Sequence, residues 1–256
     1  MTERAFDLNG TTALVTGASR GLGRHFALTL AKAGARVALA ARDAGQLAQV
    51  AAEIRDAAAQ AEIFTMDVTR RDSIVAALDL IGDRMGPVDT IVNNAGITNT
   101  ARALDVSADT WNAVLDTNLT GAWTVAQEGA RRMVASKRGG SIVNITSILA
   151  SRVAGGVAPY AASKAALRQL TRSLALEFAP FGIRVNSLAP GYIVTELNRD
   201  FLSSVAGEKL KTRIPARRFG TFQDLDGALL LLASDAGAYI NGAEIVVDGG
   251  HLCSSL

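Results

Sequence analysis

Short aliphatic and β-branched runs alternate with longer helix-patterned segments along the whole 256-residue chain. Seven runs read as strands: TTALVTG (11–17), ARVALAA (35–41), AEIFTMDV (61–68), VDTIVNNAG (88–96), GSIVNITS (140–147), IRVNSLAPG (183–191) and AEIVVDGG (243–250). Helices are expected from Gly21 to Ala33, from a cap at Asp43 to Ala59, from Asp72 to Met85, from Ser107 to Lys137, through Tyr160 to Phe178, and over 222–234. Sustained strand–helix alternation predicts an α/β fold, a doubly wound parallel sheet of about seven strands with right-handed helical crossovers on both faces. No Pro/Gly/Ser linker, composition shift or internal repeat divides the chain, so residues 1–256 are expected to form one domain. Such a sheet binds its ligand beyond the carboxyl ends of its strands, where strand order reverses. Chemistry is therefore sought where strands end.

Composition narrows the function classes. Formal net charge is +2, with no block of like charge and no basic stripe interleaved with aromatics, which argues against nucleic acid as a partner. The single cysteine, Cys253, cannot form an internal disulfide, as expected in a reducing compartment. The N-terminal MTERAFDLNG lacks the apolar core of a signal peptide, and no later segment is long and apolar enough to span a bilayer. A cytoplasmic protein without a membrane partner is the expectation. No Cys/His/Asp cluster has metal-ligand spacing, and no Gly-x-Ser-x-Gly elbow suggests a hydrolase. The two histidines, His25 and His251, are expected in surface or packing roles.

Two stretches carry chemistry. The first strand runs into TGASRGLG (16–23) and then directly into a helix. Glycines there let the backbone turn tightly and approach a pyrophosphate, while the helix N-terminus offers unpaired N–H groups and positive potential. Further on, PYAASKAAL (159–167) sets Tyr160 and Lys164 four residues apart, on one face of a helix.

The Gly-x-x-x-Gly-x-Gly spacing at 17, 21 and 23 combines with NNAG (93–96), Asn118 in NLTG, Ser147 in NITS, YAASK (160–164) and PG (190–191). In order and spacing, including the thirteen residues from Ser147 to Tyr160, these resemble the short-chain dehydrogenase/reductase family over essentially the whole chain. The general look is similar to 3-oxoacyl-carrier-protein reductases and to gluconate or sugar-alcohol dehydrogenases.

The resemblance implies a Rossmann-type fold, a nicotinamide cofactor, and a carbonyl reductase or alcohol dehydrogenase acting through Asn118, Ser147, Tyr160 and Lys164. Tyr160 is then the general acid for reduction and base for oxidation. Lys164 keeps a positive charge beside the phenol, favouring the phenolate, and hydrogen-bonds the nicotinamide ribose. Ser147 holds the substrate oxygen where charge develops. Asn118 positions a water that links Lys164 to solvent. Cofactor contacts are implied for Gly17, Ser19, Arg20, Gly21, Leu22 and Gly23 in the loop, and for Asp67 and Val68 at the adenine. Asn94, Ala95 and Gly96 would lie along the adenosine, and Pro190, Gly191, Ile193 and Thr195 at the carboxamide, with Tyr160 and Lys164 completing the set. For Asp67 a turn or cap aspartate is the alternative.

The second strand ends LAARD, placing Ala41 where NAD-preferring members carry an acid and Arg42 immediately after it. With Arg20 before Gly21, two guanidinium groups would converge on the 2′-phosphate of NADP. NADP(H) is the expected cofactor, with NAD(H) possible and an NAD-linked secondary-alcohol or polyol dehydrogenase as the alternative. A small carbonyl or alcohol is the expected substrate: a 3-oxoacyl thioester, a sugar acid or another ketone. It would be faced by residues 148–156, Tyr192 and a lid at about 193–220, whose arginines at 213, 217 and 218 read as a solvated face, with an acidic substrate or an acyl-carrier surface as the alternative. Small residues on several faces of the helices at 107–137 and 159–178 suggest a homodimer or homotetramer.

Overall fold

The computed structural model describes residues 6–195 and 198–254. Residues 1–5, half of the N-terminal stretch read for a signal, and Glu196 and Leu197 of the expected lid lie outside the described residues. The seven strands are β1 (Thr12–Thr16), β2 (Arg36–Ala41), β3 (Ala61–Thr65), β4 (Thr90–Asn93), β5 (Gly140–Ile145), β6 (Ile183–Pro190) and β7 (Glu244–Val247). All pair in parallel, in the order β3-β2-β1-β4-β5-β6-β7. The chain winds outward from β1 in one direction and from β4 in the other. The switch point therefore lies between β1 and β4, as a doubly wound Rossmann-type sheet requires.

Nine helices among the described residues complete the chain: α1 (Gly21–Lys32), α2 (Ala44–Asp56), α3 (Arg71–Met85), α4 (Ala108–Leu115), α5 (Ala122–Ser136), α6 (Ala158–Phe178), α7 (Arg199–Leu202), α8 (Val205–Lys211) and α9 (Asp226–Ala233). Successive strand residues point to opposite faces, so β1 feeds two cores. Ala13 and Val15 join Phe26 and Leu30 of α1, Leu47 and Ile54 of α2, and Leu229 and Leu232 of α9. Leu14 joins Ile74 and Leu78 of α3, Val125 and Met133 of α5, and Leu174 of α6. Every β1 residue is buried, which is why the strand carries no solvent-side alternation.

Three expectations shift. The strands are shorter than their apolar runs because the chain leaves the sheet as soon as it reaches the polar carboxyl ends. The expected 94–96 extension of β4 and 66–68 extension of β3 are loop. The helix expected at 107–137 is three pieces: α4, a π-helical turn at Asp116–Gly121, and α5. A wide turn of this kind commonly marks a functional site, and this one holds Asn118. Finally, the irregular region after β6 contains α7 and α8.

Candidate active site

The loop after β1 has the form of an anion cradle. Gly17 and Gly21 take φ of +65° and +55°, backbone that side chains rarely adopt. A Cβ on Gly23 would lie 2.1 Å from the Gly17 carbonyl oxygen, so only glycine lets α1 start this close to the turn. Ala18 N–H donates to the Ala40 carbonyl at 3.2 Å, tying the loop to the end of β2. Whereas α2 and α4 are capped by the side chains of Asp43 and Ser107, α1 has no side-chain cap and no acid in its first turn. Its orphan N–H groups and positive pole are left for a negatively charged group. These features fit a dinucleotide pyrophosphate. Arg20 and Arg42 are both exposed beside the cradle, and neither has a carboxylate partner among the described residues.

The ends of β3 and β4 border the same crevice. The Asp67 carboxylate accepts from Thr69 N–H at 3.0 Å and from the Thr69 hydroxyl at 2.7 Å, the turn role that had been the alternative reading. Partial burial pushes its carboxyl up, but the Thr69 bonds and the charges of Arg42 and Arg70 outweigh this and hold it below the ordinary value. Val68 packs beneath the π-helical turn, where a Cβ on Gly121 would meet its carbonyl at 2.7 Å. Asn94 is tied to the glycine loop. Its Nδ2 donates to the carbonyls of Thr16 at 3.0 Å and Gly17 at 3.3 Å, so the side chain braces the glycine loop. Ala95 N–H donates to the Thr16 hydroxyl at 3.1 Å.

Beyond the crevice, the structure brings Asn118, Ser147, Tyr160 and Lys164 together. Asn118 is fully buried: its Oδ1 accepts from Ile97 N–H at 2.8 Å and its Nδ2 donates to the Ile97 carbonyl at 2.9 Å and the Ser163 hydroxyl at 3.0 Å. Ser163 in turn donates to the Tyr160 carbonyl at 2.7 Å, so Asn118 is linked directly to the first turns of α6. A Cβ on Gly96 would sit 3.3 Å from Asn118 Oδ1 and 3.6 Å from Lys164 Nζ, so glycine keeps that junction open. Lys164 Nζ donates to the Ile145 carbonyl at 2.7 Å and lies 5.7 Å from the Tyr160 ring centroid.

Burial drops the Lys164 ammonium from 10.5 to about 8. Desolvation pushes the Tyr160 phenol up; the Ser147 hydroxyl acts against this and Tyr192 with it. In the chain by itself, burial costs both groups their charged forms. Ser147, at the end of β5, also caps the turn at Ile148–Ala150 by accepting from Leu149 N–H at 3.1 Å.

Past β6, Gly191 N–H donates to the Val247 carbonyl at 2.9 Å, and a Cβ on Gly191 would lie 2.6 Å from Asp248 Cβ. That contact fixes the course of Pro190–Gly191. Ile193 pairs with Gly220, and Asn198 holds the segment by accepting from Thr195 N–H and donating to the Ile193 carbonyl, both at 2.8 Å. Ser163 and Asn198 were not singled out in the sequence, because their partners are set by tertiary packing.

The remaining candidates are engaged in bonds of their own. Arg218 pairs with Asp224 at 2.7 Å, and Arg217 bonds the Thr212 carbonyl. His25 bonds Asp226 at 2.6 Å and stacks on Phe222, packing α1 against α9 as expected. A 630 Å³ cleft lined by Arg36, Arg55, Glu62 and Arg84 lies at the opposite, amino end of β2 and β3. There Arg55 already donates to the Ala61 carbonyl at 2.8 Å and Arg84 faces Glu62 at 3.6 Å. Among the described residues no group of three or more His, Cys, Asp or Glu could hold a metal.

A family model described as Enoyl-(Acyl carrier protein) reductase matches residues 17–251. Gluconate 5-dehydrogenase of Gluconobacter oxydans is 38% identical over 249 residues, covering 96% of both chains. The chain belongs to the short-chain dehydrogenase/reductase family. As a member it is an oxidoreductase of the alcohol/ketone class. The 3-oxoacyl-acyl-carrier-protein reductase of Staphylococcus aureus is similar to the same degree, 38% over 240 residues, covering 93% of this chain and 97% of that one. A crystal structure of gluconate 5-dehydrogenase from Burkholderia cenocepacia, in complex with NADP and tartrate, superposes with a TM-score of 0.96 at 38% identity, covering 100% of both chains. Among the described residues no helix is long and apolar enough to cross a membrane.

Proposed function

We propose that the protein transfers a hydride between NADP(H) and a ketone or secondary alcohol, with Tyr160 as general acid/base. The observation that carries this is the convergence of Ser147, Tyr160, Lys164 and Asn118 on one junction, next to a glycine cradle whose helix N-terminus has no cap of its own.

The nicotinamide, when bound, supplies or accepts the hydride. This chain's residues handle the oxygen and its proton. Ser147 holds the substrate oxygen, and Tyr160 gives it a proton in reduction or takes one in oxidation. Lys164, with its ammonium brought to about 8, exchanges a proton near neutral pH with solvent through a water positioned at the Asn118 junction. Gly17 to Gly23, Asp67 and Val68, Asn94 to Gly96, and Pro190, Gly191, Ile193 and Thr195 line the dinucleotide, Asn94 by bracing the loop. Arg20 and Arg42 favour NADP over NAD, a reading supported by Ala41 in the acidic position and by the NADP held in the Burkholderia relative. The segment at 193–220 acts as the lid of a single domain.

The substrate is a small carbonyl: a sugar acid, 3-oxoacyl thioester or related ketone. A cytoplasmic homodimer or homotetramer is the accompanying reading, tested by the solution mass from scattering at micromolar protein. The reaction itself is tested by assaying simple ketones, 3-oxoacyl thioesters and keto-sugar acids with NADPH and with NADH. Turnover with NADPH is expected. Consistently faster turnover with NADH would favour the NAD-linked polyol dehydrogenase reading.

A further inference from the structure

A few residues beyond Ser147, three residues from distant parts of the chain meet. The Arg152 N–H donates to the Ile148 carbonyl at 2.8 Å, holding Arg152 one turn beyond Ser147. Its Nη1 donates to the His251 carbonyl and, at 2.9 Å, to the Ser254 hydroxyl. The His251 ring lies 5.7 Å from the ring of Tyr192, and Tyr192 is near enough to Tyr160 to influence its phenol. Arg152, His251 and Tyr192 thus form one wall beside the reacting groups.

The wall is unsatisfied in a particular way. Arg152 is half-buried, and among the described residues its only side-chain partners are neutral oxygens and no carboxylate pairs with it. The nearby acid, Asp248, is already occupied by the N–H groups of Gly250 at 2.8 Å and Leu252 at 2.5 Å. His251 is 6% exposed, and its Nδ1 is buried without a partner. Burial and the charges of Arg152 and Arg213 lower the imidazole, against Asp248, so His251 presents a neutral, hydrogen-bonding edge. A half-buried guanidinium without an acid is costly unless an anion completes it. Its planar fork matches a carboxylate.

We propose that Arg152 is the specificity-determining residue of this site, receiving the carboxylate of a polyhydroxy-acid substrate while His251 and Tyr192 meet its hydroxyl groups. The inference rests on the oxidoreductase reading above and selects the sugar acid from its substrate classes. A 3-oxoacyl thioester has no carboxylate to offer this wall.

The test uses two substrates matched except in charge: a six-carbon keto-aldonate, and the ketose in which hydroxymethyl replaces the carboxylate. With NADPH, the wild type is expected to favour the acid at least thirtyfold in kcat/KM. In Arg152→Gln that preference should fall below threefold, through a roughly tenfold to hundredfold rise in KM for the acid. Arg152→Lys, which keeps charge but not the fork, should recover part of it. Melting temperature and NADPH affinity establish that each variant is folded.

Calorimetric binding of gluconate to the NADPH-loaded protein, two reduced partners that cannot react with each other, reads the same contact without turnover. Arg152→Gln should weaken it at least tenfold. Arg152-dependent gluconate binding without turnover of either substrate would uphold the carboxylate site and reject the assigned reaction. Ketone turnover with equal preference for acid and ketose, or gluconate binding unchanged in Arg152→Gln, would overturn the carboxylate site and leave the reaction standing.

Discussion

Gly23 stands against Gly17 so closely that a Cβ on Gly23 would be 2.1 Å from the Gly17 carbonyl oxygen and 2.5 Å from Asn94 Nδ2. Backbone and brace would both have to move for any side chain at this position. Gly23→Ala is therefore expected to raise the NADPH dissociation constant at least tenfold and to lower the melting temperature. Fluorescence titration and thermal denaturation check this. Unchanged NADPH affinity would show that the loop does not form the cofactor site.

Arg42 is exposed at the end of β2 and has no carboxylate partner among the described residues, so its removal leaves no buried charge stranded. Hydrogen bonds to charged groups contribute about 1.5–3 kcal/mol. Arg42→Ala should weaken NADPH tenfold or more and change NADH less than threefold. Equal losses for the two cofactors would remove the 2′-phosphate from its role.

Lys164 gives the stability curve a predicted sign. Its ammonium loses the proton at about 8 in the folded chain, against an ordinary 10.5. Between those values the unfolded chain binds more protons, so this group's contribution to stability rises with pH and is flat below about 8. The full shift corresponds to about 3 kcal/mol. Relative to Lys164→Met, the wild type should gain stability by this order between pH 8 and 10.5, as urea denaturation at several pH values would measure. A gap that stays constant across the window would mean that Lys164 is not desolvated.

How much of this was legible in the sequence follows from the range of the interactions. β1 could be read from five residues, because a strand buried on both faces needs only a continuous apolar run. The glycine loop was legible because steric limits act within the turn itself. The break at 116–121 was not, since Asn118 owes its place to Ile97 and Ser163, which are 21 and 45 residues away in the chain. Arg152 reaches His251 across 99 residues, a contact that no local pattern announces. The Asn94 side chain illustrates the converse: its motif was visible, but its bonds to Thr16 and Gly17 emerge only when β4 lies beside β1. The electrostatics were least legible. Charge type suggested that Lys164 would assist Tyr160, whereas burial governs both groups.

The central claim is that the Tyr160 phenol moves the proton at the reacting oxygen. Tyr160→Phe removes one oxygen and leaves the Ser163 bond to the residue-160 carbonyl available. Its NADPH dissociation constant and its kcat, measured on whichever ketone the wild type reduces best, give the most direct test. The account predicts affinity within threefold of wild type and kcat lower by about 10² to 10⁴, the range for a positioned general acid. A variant that keeps more than a tenth of wild-type kcat would contradict it.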